Sequence, residues 1–298
     1  MFDAHRLRLL LELDRRGTVA EVARALSYSP STISQQLGTL EREAGCELII
    51  PAGRRLQLTP QAQVLVGYAA RILDLMDEAA AAVEASRTAV GGTVRLAVFQ
   101  SASHSMVPHA LSELAADYPE LRVEVTELDP EAALLRVAAR DFDLVLAEQY
   151  PGYTRPIVAE LDRIPLAQDR IHVATALGSE APLSIGDLAD RPWVMEPLGT
   201  ASRQWALQTC RQVGFEPDVR FDTADLVAQV KLVRNGNAVG LLPDLVWAGE
   251  KPEVRLSELP HSPVREIFSS ARLATAARPS VVAVRTALRR AADAFAAR

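Results

Sequence analysis

The chain has 298 residues, 49% of them hydrophobic and 23% charged, which suits a globular protein of two or three domains. A formal net charge of −6 argues against a general polyanion-binding protein, and two cysteines in a chain of this length exclude a disulfide framework. The first residues have no apolar signal-peptide core and no apolar run reaches about 18 residues, so we expect a cytoplasmic protein that does not enter membranes. The charge is divided unevenly, because residues 1–58 hold eight Arg and seven acidic residues.

The first 45 residues carry the signals of three helices. A stripe of leucines ends at Gly17, a typical helix stop. Thr18 and Glu21 then have the spacing of a capping box, and Ser29 followed by Pro30 is a typical start for the next helix. Two short helices joined by a turn of three or four residues form a helix-turn-helix unit.

The helix that starts at Ser29 has an uncharged polar face. Its apolar residues Ile33, Leu37 and Leu40 recur at helical spacing and are expected to face the core. Short hydroxyls and amides suit base edges in a major groove, although a solvated polar face remains the alternative. The candidate DNA-binding residues on this face are Ser31, Thr32, Ser34, Gln35 and Gln36.

A short hairpin is predicted next, with strands at 47–50 and 55–58. Arg54 and Arg55 lie at or near its tip. Two arginines on a wing beside a recognition helix are candidates for phosphate or minor-groove contacts. Without that neighbour, a solvated turn would be the more common interpretation.

Thr59 and Pro60 begin a long helix with a heptad seam of apolar residues. At about 1.5 Å per residue it would extend roughly 40 Å before the glycines at 91 and 92. We expect this seam to pair with a second copy, although packing on its own domain is the alternative. The predicted dimerisation residues are Leu65, Ala69, Ile72, Met76 and Val83.

The C-terminal two thirds alternate between strand and helix patterns. This alternation predicts two α/β lobes with mostly parallel sheets. Predicted strands cover 93–99, 121–127, 143–147, 171–174, 193–195, 219–221 and 238–241. Ligands of such sheets bind beyond the carboxyl ends of strands, which directs attention to the turns at 100–104, 128–130 and 196–200. Ordinary helix capping is the alternative for the polar residues at these turns.

From about residue 2 to its C-terminus, the chain resembles LysR-type transcriptional regulators. The resemblance is most specific over residues 17–49, which read GTVAEVARALSYSPSTISQQLGTLEREAGCELI, and continues at 54–63. The motif positions are met by Ala23, Leu26, Ser34, Gln35, Leu40, Glu41, Gly45, Arg55, Leu58 and Thr59. Many members carry Arg where this chain has Gln35, a difference that should weaken electrostatic affinity or alter base preference. Segments 117–127, 141–148 and 236–243 are similar to the family's effector domain.

The resemblance implies an N-terminal all-α winged helix-turn-helix (1–58), a long linker helix (59–89) and a two-lobed α/β effector domain (90–298) built like a periplasmic binding protein. Lobe I would cover about 92–165 and 269–298, and lobe II about 166–268. It also implies a homodimer or homotetramer on double-stranded promoter DNA, a small-molecule effector between the lobes, and RNA polymerase as a further partner. The effector-binding candidates are Ser101, Ser103, His104, Asp129, Glu148, Gly199 and Thr200. The acidic candidates disfavour a purely anionic effector, whereas helix N-termini favour anions, so its charge stays open.

Other classes of protein fit the sequence less well. A transport-type binding protein would leave the first 90 residues unexplained. The five histidines show no metal-ligand spacing, and neither a phosphate loop nor a nucleophile motif is present, so we expect no catalysis, metal or cofactor. A redox- or ligand-sensing two-lobed protein without a direct role at DNA is the alternative, with Cys210 as the candidate sensor.

Overall fold

The structure is a computed structural model that describes residues 1–26, 28–52, 55–87, 89–153, 157–182, 184–247 and 249–296. The chain forms two compact units, Met1–Ser86 and Arg87–Arg298. In the described part of the chain, no helix is both long and apolar enough to cross a lipid bilayer.

The first unit is a helical domain with a two-stranded wing. Its elements are α1 Ala4–Arg16, α2 Val19–Leu26, α3 Pro30–Ala44, β1 Ile49–Ala52, β2 Arg55–Leu58 and α4 Pro60–Ala85. The predicted helix starts are present, because the hydroxyls of Ser29 and Thr59 each accept a backbone N–H of the first turn, both at 3.1 Å. At the end of α1, Gly17 adopts the left-handed conformation (φ 78°) and its N–H bonds to the Leu13 carbonyl.

Only one of the two hydrogen bonds of the predicted capping box of α2 forms among the described residues. The backbone N–H of Glu21 donates to the Thr18 hydroxyl at 3.2 Å, as expected. The Glu21 carboxylate instead pairs with Arg24 at 2.6 Å, one turn further along the helix. An oppositely charged neighbour at i+3 competes for the carboxylate that the box would need.

The core of the first unit corrects the predicted seam of α4. Leu65 and Ala69 are only 9% and 0% exposed. They belong to one buried cluster with apolar residues of α2 and α3 and the leucines of α1. The two residues therefore stabilise their own domain and are not part of a dimer surface. A heptad pattern marks an apolar stripe, but it does not tell which helix covers it.

The second unit is a two-lobed α/β domain. Its elements are β3 Gly92–Val98, α5 Gln100–His104, α6 Met106–Asp117, β4 Leu121–Glu127, α7 Pro130–Ala138, β5 Leu144–Gln149, β6 Ile164–Thr175, β7 Pro192–Met195, α8 Ala201–Gln212, β8 Asp218–Asp222, α9 Leu226–Arg234, β9 Gly240–Pro243, β10 Arg255–Glu258, β11 Val264–Ser270 and α10 Pro279–Ala296.

Its main sheet is mixed, which corrects the expectation of mostly parallel sheets. The order is β10-β6-β11-β5-β3-β4, with β9 also paired to β6. Strand β3 is parallel to β4 and β5, whereas β6, β9, β10 and β11 form antiparallel pairs. Strands β10 and β11 were not predicted from the sequence, because charged residues interrupt the apolar alternation in both.

The long strand β6 belongs to both lobes. Its residues 164–170 pair with β11 in the first lobe, and its residues 171–175 pair with β9 and β10 in the second. The parallel pair β7–β8 extends the second lobe through a bridge between Trp193 and Val239. The main core of the first lobe packs α6 and α10 on the sheet, and a second-lobe core forms around the fully buried Trp193.

Candidate functional site

One candidate surface is the polar face of α3. Ile33, Leu37 and Leu40 anchor the opposite face in the domain core. Three of the predicted residues, Ser31, Ser34 and Gln35, are exposed, and Thr32 and Gln36 are partly exposed.

The side chains on this face differ in how far they are already bonded. The Ser29 hydroxyl lies 2.7 Å from that of Ser31 and 2.8 Å from that of Thr32, so both are tied to the helix start. Gln36 accepts a long bond of 3.4 Å from Arg6. Within the described residues, Ser34 and Gln35 make no side-chain hydrogen bond, so their donors and acceptors are available to a ligand.

The two strands of the predicted wing are present, and the first begins two residues later than predicted, at Ile49. Strands β1 and β2 are antiparallel, with Ile49 opposite Leu58. Arg54 lies outside the described residues, as does the side chain of Arg55. Sequence reasoning passed over Tyr28, which is exposed directly before α3 and contacts the His5 ring edge-on at 5.6 Å.

A second candidate site is a cavity of about 570 Å³ between the two lobes. The first lobe contributes the turns after β3 and β4 and the end of β5, and the second contributes the turn after β7 and the start of α9. Its lining residues are Phe99, Gln100, Ser101, Glu127, Leu128, Asp129, Pro130, Glu148, Glu196, Pro197, Leu198, Gly199, Thr200, Ala224, Leu226 and Arg265.

Five of the seven predicted effector residues line this cavity: Ser101, Asp129, Glu148, Gly199 and Thr200. The structure does not place Ser103 and His104 there, which corrects these two assignments. Ser103 follows Ser101 by about 200° around the short helix α5, and His104 is exposed at its end.

A buried arginine on β11, Arg265, is the centre of the polar network at the cavity. Its Nε and Nη2 donate to Asp169 at 2.9 and 2.6 Å, and Nη2 also donates to the Ser101 hydroxyl at 2.7 Å. Its Nη1 pairs with Glu148 and has a long contact of 3.5 Å to the Tyr150 hydroxyl. The five N–H groups of a guanidinium are thereby all directed at protein acceptors.

A second carboxyl group, that of Glu196, also lies at the cavity, and unlike Glu148 it has no ion pair with Arg265. Burial, together with the nearby charge of Glu148, raises the pKa of Glu196 to about 7, against opposing effects of Arg265 and of bonds with Thr200 and Ser202. Near neutral pH this group is therefore divided between its neutral and ionised forms. Because the charge of Glu148 is close and solvation is low, Glu196 ionises less readily than Glu148.

Sequence reasoning missed Arg265, Glu196, Asp169 and Tyr150. Arg265 lies in a strand directly before Glu266, and two adjacent charged residues in a strand resemble a solvent-facing segment. The available signal was that Glu148 and Asp169 also lie in strands, because buried carboxylates require a buried cation.

The described residues do not support a metal site or a redox-active Cys210. In the described part of the chain, no group of three His, Cys, Asp or Glu side chains is arranged to hold a metal ion. Cys46 is exposed, but Cys210 is 0% exposed, and burial with the charge of Glu216 raises its pKa to about 12. A buried, protonated thiol is inert toward oxidants, so Cys210 does not support the redox-sensing alternative.

Two family models match the chain and together account for both units. The model for the LysR substrate binding domain matches residues 87–293, and the model for the bacterial regulatory helix-turn-helix protein of the lysR family matches residues 4–63. The chain belongs to the LysR family. It is a transcriptional regulator with a DNA-binding helix-turn-helix domain and an effector-binding domain.

Similar proteins agree with this assignment. The chain is 26% identical over 250 residues to the transcriptional dual regulator GltC of Bacillus subtilis (strain 168), covering 84% of this chain and 83% of GltC. It is 29% identical over 261 residues to a probable hydrogen peroxide-inducible genes activator of Mycobacterium avium, covering 84% and 80%. The crystal structure of full-length CbnR complexed with its target DNA has the same fold, with a TM-score of 0.53 at 19% identity over 98% of this chain and 100% of that chain.

Proposed function

We propose that this LysR-family regulator recognises promoter DNA through the polar face of α3, with Ser34 and Gln35 in contact with base edges. The observation that carries the proposal is a pair of exposed side chains that make no hydrogen bond within the described residues, on a helix whose other face is buried. Gln can bond adenine with two hydrogen bonds, and Ser can bond either pair type. Ser31, Thr32 and Gln36 border the pair and are positioned for neighbouring bases or phosphates.

A titration of the promoter fragment that this protein protects from nuclease tests the α3 interface. The Gln35→Ala and Ser34→Ala variants should each lose roughly 1–3 kcal/mol of binding free energy per base contact and discriminate less among operator substitutions. Gln208→Ala, an exposed position on α8, is the matched control. Wild-type affinity and base preference in both α3 variants would show that another surface recognises the DNA.

The wing arginines are proposed to contact phosphates. Replacing Arg54 and Arg55 by Ala should weaken binding to all sequences, because phosphate contacts carry no base information. The slope of log affinity against log salt should become shallower by about one to two units, close to 0.9 for each lost phosphate contact. An unchanged slope would remove the wing from the interface.

Dimerisation is proposed through the outer face of α4, defined by Val64, Tyr68, Ile72, Leu75, Met76 and Val83. These large apolar residues are all exposed, and Leu75 and Val83 reach 65% and 67%. They recur at helical spacing next to the stripe that Leu65 and Ala69 bury in their own domain. A continuous apolar stripe on one helix can pair with the same stripe of a second copy, as an isologous interface requires.

The state of association tests this face. Ile72→Glu should dissociate the oligomer at micromolar concentration, because it places a charge inside an apolar contact. Ala81→Glu introduces the same charge about 180° away on the helix and should leave association unchanged. Sedimentation velocity measures both variants, and an intact oligomer with Ile72→Glu would place the interface elsewhere.

The effector is proposed to bind in the cavity between the lobes, beside Ser101, Asp129, Glu148, Gly199 and Thr200. Thr200 lies at the start of α8, where a longer side chain would extend into this space. Thr200→Met should leave operator binding intact and abolish the response to the effector. A full response in that variant, measured on the protein's own promoter, would place the ligand at another site.

A further inference from the structure

We infer that the effector of this regulator is an organic cation, carrying an ammonium or guanidinium group that binds between Glu148 and Glu196. The inference rests on the proposed effector cavity and assigns the charge class of its ligand.

The only cation among the residues that line this cavity is fully used by the protein. Arg265 donates to Glu148, Asp169 and Ser101 and is buried. An incoming carboxylate could bond this guanidinium only by displacing one of the two buried carboxylates. Removing a partner from a buried ion pair is strongly unfavourable, so Arg265 does not serve as an anion site.

Helix N-termini are the usual alternative for binding anions, and the longer helices α7, α8 and α9 that begin at this cavity all carry side-chain caps. The five-residue helix α5 begins there without one. The Asp129 carboxylate accepts the Glu131 N–H at 2.9 Å and so caps α7. The Thr200 hydroxyl accepts the Arg203 N–H at 3.2 Å at the start of α8. Each cap satisfies at least one first-turn amide that an anionic ligand would otherwise use, and the aspartate adds a negative charge of its own.

The start of helix α9 is also capped by side chains. Asp225 accepts the N–H groups of Val227 and Ala228, at 2.9 and 3.2 Å. The N–H of Leu226 is bonded at 2.7 Å by the side-chain oxygen of Gln100, which comes from the opposite lobe. Within the described chain, every helix of eight or more residues that begins at the cavity therefore has a side-chain cap on its first turn.

The remaining charges at the cavity are negative. Glu127, Asp129, Glu148 and Glu196 line it, against the single guanidinium of Arg265. Arg265 is bonded to Glu148 and Asp169, and its charge acts on Glu196 only from a distance. Among the described residues, no cation forms an ion pair with the Glu196 carboxylate, which lies at the cavity next to Glu148. A ligand cation placed there would offset the repulsion between these two carboxyl groups and replace the water that burial has removed.

Three probes with the same four-methylene spacer test the sign of the charge: 1,4-diaminobutane, 1,4-butanediol and hexanedioate. Binding to the full-length protein is measured by calorimetry and by thermal shift at pH 8 and 0.15 M salt, where screening suppresses weak surface association. The diamine should bind, and the diol and the dianion should not. Binding of hexanedioate, or no binding of the diamine, overturns the inference.

Two acid-to-amide variants localise the binding. Glu196→Gln should weaken binding of the diamine at least tenfold. Glu180→Gln removes the same charge from an exposed position outside the cavity lining and should have no effect. Equal affinities for the wild type and both variants would mean that the diamine binds by general attraction to an acidic protein, which overturns the assignment to Glu196.

Thr200→Met separates this inference from the proposed cavity. If it abolishes binding of hexanedioate, the cavity is the effector site but the ligand class is wrong. If it leaves diamine binding unchanged, the cavity itself is not the effector site. Loss of diamine binding in Thr200→Met, with operator binding retained, supports both.

Discussion

Replacing Glu196 by Gln should stabilise the effector domain at alkaline pH but not at acid pH. The carboxyl group has an ordinary pKa of 4.5 and a folded-state pKa of about 7, raised first by burial and then by Glu148. Between these two values the unfolded chain has released the proton while the folded chain still holds it. Folding stability therefore falls as the pH rises through this window and stays reduced above it.

The magnitude follows from the two pKa values. At about 1.4 kcal/mol for each pH unit between them, the ionised carboxylate destabilises the folded state by about 3 kcal/mol at pH 8. At pH 5 the same relation gives less than about 1 kcal/mol. Glutamine keeps the shape of the side chain and cannot ionise, so the gain in unfolding free energy should be about 3 kcal/mol at pH 8.

The assay is urea unfolding of the full-length protein, followed by tryptophan fluorescence. All three tryptophans, Trp193, Trp205 and Trp247, belong to the unit Arg87–Arg298, so the signal reports on the effector domain alone. The free energy of unfolding is extrapolated to zero urea at pH 5 and pH 8. The exposed Glu180→Gln is the control, and its effect should be the same at both pH values.

The other ionisable groups around Glu196 determine how the result is interpreted. Glu148 at the end of β5, Tyr150 just after β5 and Arg265 on β11 all lie close enough to interact with Glu196. Arg203 on α8 bonds the Glu196 carbonyl at 3.0 Å. Arg203 also lies 3.8 Å from Asp222 on β8. Equal stabilisation by Glu196→Gln at pH 5 and pH 8, or destabilisation at pH 8, would refute ionisation of Glu196 as the cause.

Two further predictions concern buried groups of the effector domain. Arg265→Leu should lower the free energy of unfolding by about 3–5 kcal/mol, because it leaves two buried carboxylates without a cation. Arg163→Leu, at an exposed pair with Glu266, should lower it by less than about 1 kcal/mol. Equal losses for the two variants in urea unfolding would contradict the buried network. A thiol reagent should modify Cys46 promptly in the native protein and Cys210 only after unfolding, and two fast thiols would contradict the burial of Cys210.

The helix boundaries were predictable because their signals are local. Gly17, Ser29 with Pro30, and Thr59 with its proline each act within one turn of the helix that they stop or start. A cap depends on a hydrogen bond between residues two to four positions apart, and the sequence displays that distance directly.

The seam of α4 and the buried network were not predictable in the same way. The stripe that includes Leu65 is equally apolar whether α1 or a second copy covers it, so periodicity identified the stripe but not its partner. Arg265 is 117 residues from Glu148 and 96 residues from Asp169 along the chain. Only the antiparallel pairing of β11 with β5 and β6 brings these charges together.

The position and the charge of the cavity follow from different parts of the sheet. The turns at 99–101, 127–130 and 196–200 each follow a strand with a parallel partner, namely β3, β4 and β7. Parallel strands direct their carboxyl ends to one edge, so sequence reasoning found these turns. The cation Arg265 and its partner Asp169 lie instead on the antiparallel strands β11 and β6, for which no such rule locates a ligand. The sequence thus indicates the cavity in which we propose that a ligand binds, whereas the charge proposed for that ligand depends on pairings that only the folded sheet creates.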